Sequence, residues 1–142
     1  MSQPVQGRCL CGACTFSVTL RDENVDACHC GQCRTWAAGP FMDVMALSAP
    51  VFDDQDAVGV YRSSEWGDRL FCKTCGSALA WRFADDHDKI AISAFAVPLS
   101  DAATFRSEVF IDAKPRFYDF AQDTKKMTGE ELMAAMAPQG NA

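Results

Sequence analysis

Most of the chemistry open to this chain lies in eight cysteines: Cys9, Cys11, Cys14, Cys28, Cys30, Cys33, Cys72 and Cys75. They are spaced C-x-C and C-x-x-C, as suits thiols that converge on one ion. An even count also permits four disulfides. However, 142 residues can bury a core without staples, and Met1-Ser2-Gln3-Pro4-Val5-Gln6-Gly7-Arg8 lacks the apolar run of an export signal. The expectation is a cytoplasmic protein whose thiols stay reduced and hold metal.

Cys72-Lys73-Thr74-Cys75-Gly76 is a chelating knuckle, with a glycine that permits the turn beyond it. A tetrahedral site needs a second pair: Cys9 with Cys11, Cys11 with Cys14, or two of Cys28, Cys30 and Cys33. Strand parity chooses among them. Cys14 is in phase with Phe16, Val18 and Leu20, so it enters the core as a small apolar side chain. Cys9, Cys11, Cys72 and Cys75 then form a closed, structural site.

Cys28, Cys30 and Cys33 remain, three ligands on one short loop with a fourth position open, as in catalytic zinc sites. A fourth protein ligand, Cys14 or His29, would close that site instead. His29 lies between two ligands, so its side chain is expected to point away from the ion. His87, among Asp85, Asp86 and Asp88, reads as a solvated turn residue. There is no glycine-rich phosphate loop, and two histidines give no basis for a Ser/His/Asp arrangement.

The elements that must position these residues are short strands. Thr15 to Leu20 alternates cleanly and predicts a half-buried strand. Further strands are expected at 41–47, 59–62, 69–72, 78–83, 89–94 and 108–111, with 84–88 as a hairpin connection. Helix is scarce. Gln32 to Ala38 predicts one or two turns stopped by Gly39 and Pro40, and Thr128 with Glu131 is a capping box opening a helix to about Met136. Residues 138–142 read as a frayed tail. Two hexapeptides, 9–14 and 28–33, share the pattern C-x-C-G-x-C, and each is expected to turn tightly at its glycine.

No linker interrupts the chain, so a mostly β single domain over 1–142 is expected, with its core at about 7–128 and a C-terminal helix and tail at 128–142. A net charge of −6 argues against a sequence-independent grip on nucleic acid and against an electrostatic hold on acidic membranes. No segment approaches the ~20 apolar residues of a membrane span.

Gly7-Arg8-Cys9-Leu10-Cys11-Gly12, Cys28-His29-Cys30-Gly31-Gln32-Cys33-Arg34 and Phe71-Cys72-Lys73-Thr74-Cys75-Gly76, in that order, resemble the glutathione-dependent formaldehyde-activating enzyme family, shared with centromere protein V. The stretch Ile111-Asp112-Ala113-Lys114-Pro115-Arg116-Phe117-Tyr118 is similar to that family's closing segment. The resemblance implies a zinc-stabilised β-tent fold with two zinc ions per chain. It gives Cys9, Cys11, Cys72 and Cys75 to the structural zinc, and Cys28, Cys30 and Cys33 to a second zinc linked to glutathione chemistry. The activity it implies is that of a carbon–sulfur lyase of the S-(hydroxymethyl)glutathione synthase type. Cys14 departs from the family, which usually has an aliphatic residue there.

Charge sharpens that expectation. Three thiolates and one zinc ion sum to −1, which suits binding an incoming thiol as thiolate better than generating hydroxide. The expected partner is a small thiol such as glutathione, with Arg34, Arg69 and Lys73 as candidates for its carboxylates and Trp36 and Phe41 as pocket walls. Two other readings stand beside the enzyme: a binding module with two structural zincs, and a thiolate switch that senses oxidation or zinc.

Overall fold

The computed structural model describes residues 3–136. It is a mostly β single domain with two α-helices, one of them C-terminal. The expected tail at 138–142 lies outside the described residues. Contacts gather the chain into two compact units, one of residues 3–24 and 42–104, the other of 25–41 and 105–136.

In the first unit, β1 (Val5–Arg8) pairs antiparallel with β2 (Thr15–Val18), which pairs with β5 (Val51–Phe52). A second antiparallel run has the order β4 (Phe41–Met45), β9 (Ile90–Ser93), β8 (Ala78–Phe83), β7 (Gly67–Cys72), β6 (Val58–Ser64). The alternation read from Thr15 to Leu20 has a physical cause: Cys14, Phe16, Val18 and Leu20 are all buried, as are Val44, Leu70, Leu79, Ile90 and Ile92 of the same unit. Regular pairing ends at Val18, and Leu20 adds a single bridge to Ala46. Residues 84–88 join β8 to β9 as expected, with the Lys89 amide donating to the Asp86 carbonyl.

In the second unit, β3 (Asn24–Cys28), β10 (Thr104–Val109) and β11 (Lys125–Met127) lie side by side, β10 and β11 in parallel. The strand expected at 108–111 is shifted. It ends at Val109 because Phe110 takes a left-handed conformation (φ 55°) that leads into a 3-10 turn at Ile111–Ala113. Helix α1 (Gly31–Ala37) stops at Ala38, itself left-handed. Helix α2 (Gly129–Met136) opens on the expected box: Thr128 Oγ1 accepts from the Glu131 amide at 3.1 Å, and Glu131 Oε1 accepts from the Thr128 amide at 2.8 Å. Among the described residues, no helix is long and apolar enough to cross a membrane.

Candidate metal centres

Cys9 follows β1 and Cys72 ends β7, so two tight turns at strand ends bring four thiols together in the first unit. The Sγ atoms of Cys9, Cys11, Cys72 and Cys75 all lie within 4.8 Å of one another, with Cys9–Cys11 at 3.7 Å and Cys11–Cys72 at 3.8 Å. A tetrahedron with metal–sulfur bonds of ~2.3 Å has edges of about 3.8 Å, whereas a disulfide would need ~2 Å. The thiols therefore fit a tetrahedral ion, and every cysteine is free. Gly12 (φ 84°) and Gly76 (φ 80°) take the left-handed turns that a side chain would strain.

Backbone amides point at these sulfurs. Cys11 accepts from Ala13, Cys9 from Cys14, and Cys72 from Thr74 and Cys75, at 3.3–3.4 Å. Hydrogen bonds from the Cys75 and Thr74 amides hold the Cys72 thiol below its usual range against the effect of burial. Bonds from Ser77 bring Cys75 down to about 5. At Cys11 the Ala13 amide acts in the lowering direction, but burial and the crowding of Cys9, Cys75 and Cys72 win and raise it to about 11. Four packed sulfurs cannot all ionise unless a cation compensates them. Ser77, which sequence reasoning missed, links the two turns: its Oγ accepts from the Leu10 amide at 3.0 Å and lies 3.1 Å from Cys75 Sγ.

Cys14 sits in the core beside this cluster without joining it. Its thiol donates to the Ala57 carbonyl at 3.3 Å, and burial, with Cys72 and Cys9 nearby, raises it to about 12.

In the second unit, Cys28 closes β3, Cys30 is the N-cap of α1, and Cys33 lies one turn into that helix. Their Sγ atoms also lie within 4.8 Å of one another, and among the described residues no fourth Cys, His, Asp or Glu ligand atom joins them. Gly31 does not turn back as Gly12 does; it opens α1, which corrects the expectation for that glycine. Cys30 Sγ accepts from the Cys33 amide at 3.3 Å. Hydrogen bonds with Cys30 and Cys33, together with burial, push the Cys28 thiol far up, as expected of three thiols without a cation.

His29 is fully buried. Its Nε2 meets Glu108 Oε1 at 2.8 Å, and its Nδ1 meets the Tyr118 hydroxyl at 2.7 Å, so neither ring nitrogen is free for a metal. Glu108 also accepts from Thr124 Oγ1 at 2.5 Å and faces Lys126 Nζ at 3.7 Å. Burial works to raise the Glu108 pKa, but Thr124, His29 and Lys126 outweigh it, and the carboxyl lies below its usual range. Sequence reasoning missed this network. Its only signal was the pairing of His29 in one motif with Tyr118 in another.

A cleft of about 460 Å³ in the same unit is lined by Arg34, Thr35, Ala38, Gly39, Pro40, Phe117 and Tyr118. Burial raises the Tyr118 phenol, with Lys114 and Arg34 acting in the opposite direction. Lys114 fastens the loop below, with its Nζ 2.7 Å from Asp119 and bonded to the Pro115 and Tyr118 carbonyls.

Of the three cations expected to meet a ligand, Arg34 lines this cleft. Arg69 is buried in the first unit with its Nε on Ser63 Oγ, and Lys73 belongs to the four-cysteine turn. Trp36 and Phe41 pack on each other (ring centroids 5.1 Å apart) and are not among the cleft's lining residues. His87 is half-exposed, 3.8 Å from the buried carboxylate of Asp68.

A family model described as "Glutathione-dependent formaldehyde-activating enzyme" matches residues 4–113. An uncharacterized lyase of Schizosaccharomyces pombe is 34% identical over 131 residues, covering 92% of this chain and 96% of the relative. A crystal structure of a Rhodobacter sphaeroides protein aligns with a TM-score of 0.57 at 20% identity. It covers 68% of this chain and 91% of that one, a likeness of fold.

Proposed function

The chain belongs to the glutathione-dependent formaldehyde-activating enzyme family, and from that membership we propose that it is a zinc-dependent carbon–sulfur lyase acting on adducts of a small thiol, glutathione first among them. The observation that carries this reading is a three-thiol set with no fourth protein ligand among the described residues, in the same unit as a cleft lined by one cation. In this reading Cys9, Cys11, Cys72 and Cys75 hold a structural zinc, and Cys28, Cys30 and Cys33 hold the second. Zinc on three thiolates would supply a position where an incoming thiol gives up its proton and stays nucleophilic.

The chain's own residues do the rest. Arg34 offers a charged contact for a carboxylate of the thiol, and Phe117 and Tyr118 supply apolar wall for its stem. In the synthetic direction the sulfur adds to the carbonyl carbon of an aldehyde, a carbon–sulfur bond forms, and the carbonyl oxygen takes a proton. The lyase direction reverses each step. No electron leaves or enters.

The test is binding through sulfur. Glutathione should bind the zinc-loaded protein, and S-methylglutathione, whose sulfur cannot become a thiolate, should bind at least tenfold more weakly by calorimetry. With glutathione and formaldehyde present, protein should speed aldehyde loss above the spontaneous rate. Equal affinity for the two ligands, with no acceleration, would turn the assignment toward a non-enzymatic binding module.

A further inference from the structure

His29 stands between two cysteines of the second site, and each of its polar atoms is engaged. The amide donates to the Val109 carbonyl at 3.0 Å, the carbonyl accepts from Arg34 Nε at 2.9 Å, Nε2 bonds Glu108 and Nδ1 bonds Tyr118. The side chain is fully buried, as is Glu108. Its two ring partners are 79 and 89 residues away in sequence, on β10 and on the loop after the 3-10 turn. The pair thus pins a short ligand loop to elements that supply no ligand themselves.

We propose that His29, held by Glu108 and Tyr118, is a positioning residue for Cys28, Cys30 and Cys33, fixing the loop so that the three thiols converge before any metal arrives. This rests on reading those three as metal ligands. A local loop without such a pin must order itself when it binds, and the ordering cost is subtracted from affinity. Fixed backbone on both sides of His29 removes that cost for Cys28 and Cys30, while α1 carries Cys33 back over Cys30 at the i, i+3 spacing. The hydrogen bonds also have a set direction. With Glu108 ionised, Nε2 carries the proton and donates, Nδ1 accepts from the Tyr118 hydroxyl, and no polar atom is orphaned. Outer partners bonded directly to a ligand commonly change metal affinity 10–100-fold when removed. Glu108 and Tyr118 act one residue further out, through the backbone that His29 shares with Cys28 and Cys30.

The experiment is cadmium titration of the whole chain, followed by cadmium NMR, which separates four-sulfur from three-sulfur coordination. Glu108→Gln keeps the side-chain volume but sets an amide against Thr124 and Lys126. Affinity at the three-cysteine site should fall at least tenfold with the four-cysteine signal unchanged. Tyr118→Phe removes one hydroxyl and should lower the same affinity severalfold. It also decides the matter by the same criterion if Glu108→Gln fails to fold. Wild-type affinity in the variants, or loss at both sites in step, overturns the positioning role. A wild-type loop that takes no cadmium removes the metal reading itself, and the positioning role with it. Failure of glutathione to bind leaves both intact and counts against the lyase alone.

Discussion

Residues 9–14 and 28–33 share the pattern C-x-C-G-x-C, yet they fold and use their cysteines differently. In the first, Gly12 turns left-handed and the chain passes into β2, whose parity carries Cys14 into the core. In the second, Gly31 opens a helix, and Cys33 returns over Cys30 to join the cluster. The third cysteine's fate is thus set by the element it enters: a strand takes it away, a helix brings it back. The two candidate metal centres differ for the same reason. One gathers thiols from two turns that Cys11 and Cys72, 61 residues apart in sequence, bring together, whereas the other lies within a single turn and helix start.

The contrast breaks first at Cys72. Replacing it with serine removes a ligand from the cluster that closes a long loop, and loop-closing contacts contribute most to folding. Structural zinc contributes on the order of ten kcal/mol in small zinc domains, comparable with the whole stability of a domain. Cys72→Ser should therefore lose metal and cooperative folding together, read by metal analysis and a thermal melt. A variant that melts like wild type with full metal content would refute the structural role.

Cys30→Ser tests the other side. The loop is local, and serine is a good N-cap that can accept the Cys33 amide as Cys30 does, so α1 keeps its start. One metal equivalent should be lost while the far-UV spectrum stays native. The fall in stability is then only what that ion contributes by binding the folded state, about 3 kcal/mol when free metal is a hundredfold above its dissociation constant. Collapse as severe as that of Cys72→Ser would erase the distinction between the two centres.

Much of this was legible in the sequence wherever one signal was strong and local. Alternation from Thr15 to Leu20 gave the parity of Cys14, and Thr128 with Glu131 gave the start of α2. Strand β3 escaped notice because Asp26, in mid-strand, looks like a turn residue. It is satisfied instead by Arg106 and Ser107 on β10, partners 80 and 81 residues away. The His29–Glu108–Tyr118 network was hidden for the same reason, since no local pattern announces which distant carboxylate will accept a hydrogen bond from a buried imidazole. Strand β1 left only one trace, Gly7, where a Cβ would stand 2.2 Å from the ring of Phe16.

The smallest expected effect, at Cys14, is the sharpest test of the contrast between the two hexapeptides. Valine is apolar and about one methyl group larger than cysteine, so the exchange should cost about 1–2 kcal/mol, the low end for a small enlargement in a packed core. The thiol's bond to the Ala57 carbonyl would go, but that carbonyl also accepts from the Lys73 amide at 3.0 Å and is not orphaned. The Cys14 amide, which donates to Cys9 Sγ at 3.3 Å, is backbone and survives the change. Cys14→Val should therefore keep both metal equivalents and lower the denaturation midpoint modestly, with an unchanged m-value. Loss of either metal would mean that Cys14 ligates, and that the strand after 9–14 does not decide its third cysteine as the helix does in 28–33.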